Sequence, residues 1–408
     1  MYLLQFFAKS ATGGSSAIDV EYRLACSGEL CNRKVITAGD YRKSDVSRVL
    51  LRHPLELFVV GHPFDAYPQE LCIRLSLDYV TERHDADSGS SVAMFLPDQD
   101  VVEDFCSILS LLSRRLISPV IKTRERHRNE DPRLGLHDAL GSYGLEVPTP
   151  ILNLSAASVW EPRPLTLITS MEGQKIVNNN PPAVGVDPWA LAEFFMQLPK
   201  MTRVDQIVFA ARLYRAALEM IGPRPDIAYL LLISTVESLA DVALNDYEPT
   251  ESEKMEAKPS VRQCARDLCL TEEQTRQLVV AACKSDQWTT KKFKKFLLDF
   301  VSFSELKVED RVFTVPSFMC PLEEEIPRTL GRIYKARSDN VHVASPFPRS
   351  IGVGTTTGID VRALPPNWIS GARPEIPPVT WFERVVWLAA SRFLLERSGV
   401  KSTPCLSV

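Results

Sequence analysis

Residues 226–241 read DIAYLLLISTVESLAD, and this stretch decides the architecture expected for half of the chain. Leu230, Leu231, Leu232, Ile233, Val236 and Leu239 leave few polar positions on any face of a helix. A helix that is apolar nearly all round belongs at the centre of a bundle. Asp226 opens it, and the apolar pattern carries it from Ile227 to Leu244. Glu237 interrupts the pattern. A carboxylate in such surroundings is either paired or costly, so Glu237 needs a cationic partner.

The neighbouring segments agree with a helical bundle. Upstream, Val204, Ile207, Ala211, Tyr214, Leu218 and Ile221 follow three-four spacing, and Gly222-Pro223 ends that helix. Downstream, residues 245–258 are acidic and polar and read as a loop, and 259–301 read as two or three short helices. A further helix is expected over Leu322–Val341, followed by a proline-rich loop over 343–378. Thr380 with Glu383 makes a capping-box pattern for a final helix that runs to Arg397 and stops at Gly399.

The first hundred residues carry a different period. Ile18, Val20, Tyr22, Leu24 and Cys26 alternate with mostly polar neighbours, as do Ile73, Leu75, Leu77 and Tyr79, which is the mark of half-buried strands. Val102, Phe105, Leu109 and Leu112 then give a helical stripe within Asp98–Leu116. Residues 122–140 are dense in charge, and 145–190 hold many prolines and read as irregular with a few strands. The fold class expected from these patterns is α+β. A β-rich N-terminal domain with a closing helix (1–120) would pass through an irregular connection (121–200) to an all-α domain (201–397) with an insertion at 245–320.

Composition narrows the function classes. The chain has 408 residues and a net charge of −4, so any nucleic-acid contact must come from a local patch. No run approaches the roughly 20 apolar residues needed to span a bilayer, and Met1–Ser10 lacks the features of a signal peptide. The nine cysteines are scattered and odd in number. The close pairs Cys26/Cys31 and Cys264/Cys269 have no second Cys/His pair at zinc-ligand spacing. A reduced cytoplasmic protein without metal or other cofactor is expected.

The helix over 322–341 carries the candidate chemistry. Its packed stripe is Leu330, Ile333, Arg337 and Val341, with an arginine where an apolar residue belongs. The run Arg337-Ser338-Asp339-Asn340-Val341-His342 then stays largely polar up to a histidine. Two readings compete. Arg337 could snorkel and His342 could be an ordinary residue at a helix end. Alternatively, both line a polar cleft. Spacing alone does not choose, because Arg48 and His53 show the same Arg-x4-His pattern.

Taken together, DIAYLLLISTVESLAD (226–241) and IYKARSDNVH (333–342) resemble HEPN domains, particularly the abortive-infection-related, Apea-like group. Those domains carry a Glu in an apolar helix and an Arg-x4-6-His motif near the end of a later one, with a polar residue after the arginine. Glu237, Arg337, Ser338 and His342 match. The resemblance covers about 201–397 and departs in the 245–320 insertion and at Val343, where a small residue is usual. It implies a homodimer whose two motifs face one cleft, and an RNA endonuclease that works without metal. His342 would move protons, Arg337 would stabilise phosphate charge, and Asp339, Asn340 and Glu237 are candidates for orienting roles. The structural alternative is that Asp339 and Asn340 cap the helix and Glu237 merely pairs Arg337.

Lys284, Lys291, Lys292, Lys294 and Lys295 interleave with Trp288, Phe293 and Phe296. Such a mixture can hold a nucleic-acid backbone. It also fits an amphipathic helix with buried phenylalanines and solvated lysines, which is the preferred reading. The Gly/Thr-rich run Gly352–Gly358 lacks the Gly-Lys-Ser/Thr end of a phosphate loop, and the other histidines show no ligand spacing. Two function classes follow. One is an endoribonuclease or toxin-like effector of bacterial defence, with RNA as substrate and a regulatory protein partner to silence it. The other is a non-catalytic HEPN-type dimerisation, RNA-binding or sensor module.

Overall fold

A computed structural model describes residues 18–27, 30–32, 47–51, 55–60, 70–77, 79–82, 92–95, 98–127, 137–138, 168–169, 175–176, 184–283, 288–307, 319–352 and 374–407. Its helices are α1 (Asp98–Ser113), α2 (Pro188–Gln197), α3 (Val204–Met220), α4 (Pro225–Ala243), α5 (Glu251–Ala257), α6 (Pro259–Asp267), α7 (Glu272–Cys283), α8 (Thr289–Phe300), α9 (Ile326–Val343) and α10 (Val379–Ser398).

Helix α4 is central, as its composition requires. Tyr229, Leu232, Ile233, Val236 and Leu239 are buried, and α3, α8 and α10 pack around it. Tyr229 stacks on Phe382 of α10 at 4.9 Å between ring centroids, and its hydroxyl donates to the Pro377 carbonyl at 3.1 Å. Helix α3 buries the expected stripe, including Ile207, Ala211, Tyr214 and Leu218. Three helices, α6 to α8, occupy 259–300.

The expected α+β division into a β-rich N-terminal domain and a separate all-α domain does not form. The described residues are predominantly helical. Strand backbone is present, and Ile18–Cys26 runs antiparallel to both Glu70–Leu77 and Ile117–His127. Yet Val20, Leu24, Ile73 and Leu75 belong to the same hydrophobic cluster as Phe194, Tyr214 and Phe393. The reason lies in α1. The alternating strands needed an apolar cover, and α1 was expected to close them with one stripe. Instead Val101, Val102, Phe105, Cys106, Ile108, Leu109, Leu111 and Leu112 bury all its sides. One side meets Ile117–His127, and another meets α3 and α10. Glu103 pairs with Arg215 at 2.7 Å and Asp104 with Arg212 at 2.5 Å, tying α1 to α3.

Local expectations also need correction. The reading of 121–200 as irregular missed α2, which Asp187 caps by accepting from the Trp189 and Ala190 amides, with Pro188 in the first turn. The polar loop over 245–258 contains α5, started by a reciprocal Thr250–Glu253 capping box. Thr380 and Glu383 form no such box. Pro378 is the cap of α10, and Glu383 is fully buried, accepting from Arg114 at 2.6 Å and from the Tyr214 hydroxyl. Arg114 sits at φ 54° in the turn that leaves α1, which aims its guanidinium into the bundle.

Among the described residues, no helix is long and apolar enough to cross a membrane.

Candidate functional site

Helix α9 begins inside the bundle and ends outside it. Ile326, Thr329, Leu330 and Ile333 are buried. Two turns later Val341 is 54% exposed and Val343 73%. The expected packed stripe therefore stops before Val341. Arg337 stands at the transition, half-buried on the same face as Leu330 and Ile333. It points back towards α4, where Glu237 meets it with Nη2–Oε2 at 3.3 Å. The partner that Glu237 required is thus Arg337, and the pairing satisfies both groups.

Tyr334 completes the cluster. Its hydroxyl donates to Glu237 Oε1 at 2.8 Å, and its ring lies 6.0 Å below the Arg337 guanidinium carbon. Burial, reinforced by the Glu237 carboxylate, pushes the Tyr334 phenol up to about 12. The sequence reading passed over Tyr334, although it lies one turn before Arg337 and so shares its helix face.

His342 lies elsewhere. Helix α9 continues through Val343, and Ala344 at φ 56° caps it, so His342 is inside the last turn and not beyond it. Five residues at about 100° each separate Arg337 and His342 by about 140° around the axis. Within one chain they leave the helix on different sides. His342 is exposed, and among the described residues nothing hydrogen-bonds to its imidazole or pairs with it. Asn340 donates its side-chain amide to the Ser345 carbonyl at 2.9 Å, and the Asp339 carbonyl accepts from the Ala344 and Ser345 amides. Both residues therefore serve the helix end. The Asp339 carboxylate is 3.7 Å from Lys335.

The lysines of α8 are largely committed. Lys292 pairs with Asp241 at 3.1 Å, Lys291 with Glu253 at 3.5 Å, and Lys295 with Asp299 at 3.0 Å. Lys291 also rests over Trp288 at 5.5 Å. Phe293, Phe296 and Leu297 are buried, the amphipathic arrangement preferred from sequence. Lys294 is different: its Nζ lies 4.0 Å from where a Cβ on Gly331 of α9 would sit. Lys284, His53 and the run after Gly352 lie outside the described residues.

Among the described residues, no group of three or more His, Cys, Asp or Glu side chains is placed to hold a metal ion. Comparison with protein families, characterised proteins and solved structures finds no match for this chain.

Proposed function

We propose that this chain is a HEPN-type, metal-independent endoribonuclease, an effector of the toxin or defence kind acting in the cytoplasm as a homodimer. One observation carries the reading. An arginine interrupts the apolar face of α9, is anchored by a carboxylate on the central helix α4, and is followed five residues later by an exposed histidine. In the proposed reaction the 2′-hydroxyl of RNA attacks the adjacent phosphorus while His342 moves the proton. The 5′-oxygen leaves as a hydroxyl, giving a 2′,3′-cyclic phosphate. Arg337 supplies charge to the phosphate oxygens. Its separation from His342 around the helix makes the second copy part of the proposal, since Arg337 of one chain and His342 of the other can then face one cleft.

A second reading has its own support. The Glu237 carboxylate offsets the Arg337 charge, which suits a non-catalytic dimerisation, RNA-binding or sensor module. Incubation of the purified protein with mixed RNA in EDTA separates the two. Cleavage that survives chelation and disappears in both His342→Ala and Arg337→Ala supports the enzyme. No cleavage under dimerising conditions leaves the module reading, and cleavage untouched by His342→Ala overturns the assigned site.

A further inference from the structure

The outward face of α9 carries a second set of charges. Arg328, Arg332, Lys335, Asp339 and His342 recur at steps of four, three, four and three, so they form one stripe opposite the buried face of Ile326, Leu330 and Ile333. Arg328 and His342 are exposed, Arg332 is half-buried, and the Lys335 side chain is 79% exposed. Neither the Arg328 nor the Arg332 side chain makes a hydrogen bond or ion pair with any described residue. Lys335 has only its contact to Asp339 at 3.7 Å, a loose surface pair of little energetic worth. Lys294 flanks the stripe from α8, with its ammonium over Gly331. Glu323, Glu324 and Glu325 bound it at the start of the helix.

Charges on an exposed helix face commonly serve solubility alone. Here Arg328 and Arg332 have no partner among the described residues, in a chain with 51 acidic and 47 basic residues, while Lys291, Lys292 and Lys295 of α8 are paired. With a rise of about 1.5 Å per residue, Arg328, Arg332 and Lys335 follow one another at about 6 and 4.5 Å along the axis, and His342 stands about 10 Å further on. A line of three cations, with the Asp339 carboxylate held against Lys335 before an exposed histidine, matches a linear polyanion better than a compact anion.

We propose that this face of α9, with Lys294 at its flank, is a track for the phosphate backbone of single-stranded RNA that delivers the strand to His342. The proposal rests on RNA being the substrate, as in the preceding subsection, but it does not require cleavage. Backbone contacts of this kind set register and affinity without reading sequence.

The test uses the full chain and a fluorescein-labelled 2′-O-methyl oligouridine of roughly 15 nucleotides. Its blocked 2′-oxygen prevents cleavage, so binding is read alone by anisotropy across a salt series. Charge reversal at Arg328 and Arg332 together should weaken binding about tenfold or more at low salt, and should reduce the slope of log affinity against log salt by about 1.4. Lys401→Glu, another exposed cation, should change neither quantity. Circular dichroism checks that the variants keep their helices. Unchanged affinity and slope in the double variant, or no binding by the wild type, overturns the track. Equal binding of a polyglutamate of matched length overturns the assignment to RNA. Binding without cleavage of ordinary RNA supports the track and removes the nuclease reading; cleavage that the double variant retains in full removes the track and keeps the nuclease.

Discussion

Replacing Glu383 by Gln should destabilise the protein by about 3–5 kcal/mol, the cost of leaving one member of a buried ion pair without its counter-charge. The setting is well desolvated: the Arg114 side chain is 4% exposed and that of Glu383 0%. Arg114 donates from Nε to both carboxylate oxygens at 3.1 Å and from Nη2 to Oε2 at 2.6 Å. The Tyr214 hydroxyl donates to Oε1. Glutamine preserves the shape but not the charge, and its amide nitrogen turns a donor towards groups that are themselves donors. Urea unfolding followed by tryptophan fluorescence measures the effect, and Trp387, whose ring lies 5.2 Å from the Arg114 guanidinium carbon, reports locally. Tyr214→Phe removes one hydrogen bond to a charged group and should cost less, about 1.5–3 kcal/mol. Combining Arg114→Met with Glu383→Leu should recover part of the loss, because the buried ion pair is removed whole while the Tyr214 hydroxyl loses its acceptor. A cost below about 1 kcal/mol for Glu383→Gln, or a double variant no better than the single one, would refute the reasoning.

Two further outcomes bear on segments beside the candidate site. The Thr250 amide and then the Tyr247 hydroxyl hold the Glu253 carboxyl down at about 2, against an ordinary value of 4.5. A depressed folded-state value means that the contribution of Glu253 is fully present above about 4.5 and is lost as pH falls towards about 2. Hydrogen-exchange protection over residues 250–257, taken relative to the intrinsic rate at each pH, should therefore fall across that window in the wild type, and Glu253→Gln should flatten the change; an identical profile in the variant contradicts the assignment. Ala344 ends α9 at φ 56°, a conformation that costs an L-residue and suits glycine. Ala344→Gly should stabilise the protein by up to about 1 kcal/mol in urea unfolding, and a loss of stability would show that this cap is not strained.

Helix α4 was legible because its apolar composition demands a central place whatever packs around it, and α3 because its spacing needs only one buried side. The same one-residue logic foretold that Glu237 would need a cation. Other assignments depended on what lies across the interface. Glu383 three residues after Thr380 satisfies a local capping rule, yet Arg114, 269 positions away, claims it for the core. The stripe Val102, Phe105, Leu109 and Leu112 gives α1 one apolar side and leaves its serines and acids out of account. In the fold Ser107, Ser110 and Asp104 are buried, bonded to the α1 backbone, to the Ile117 carbonyl and to Arg212.

The candidate site divides along the same line. The sequence by itself determined that an arginine breaks the apolar face of α9, that a polar run leads to His342, and that the central helix carries one carboxylate, since these are matters of spacing and composition. Only the tertiary structure decided that Glu237 and Tyr334 hold Arg337, that Lys291, Lys292 and Lys295 are occupied, and that α9 leaves the bundle before Val341. The physical reason is that helical period tells which residues share a face, whereas the length over which that face is covered is set by the neighbouring helices.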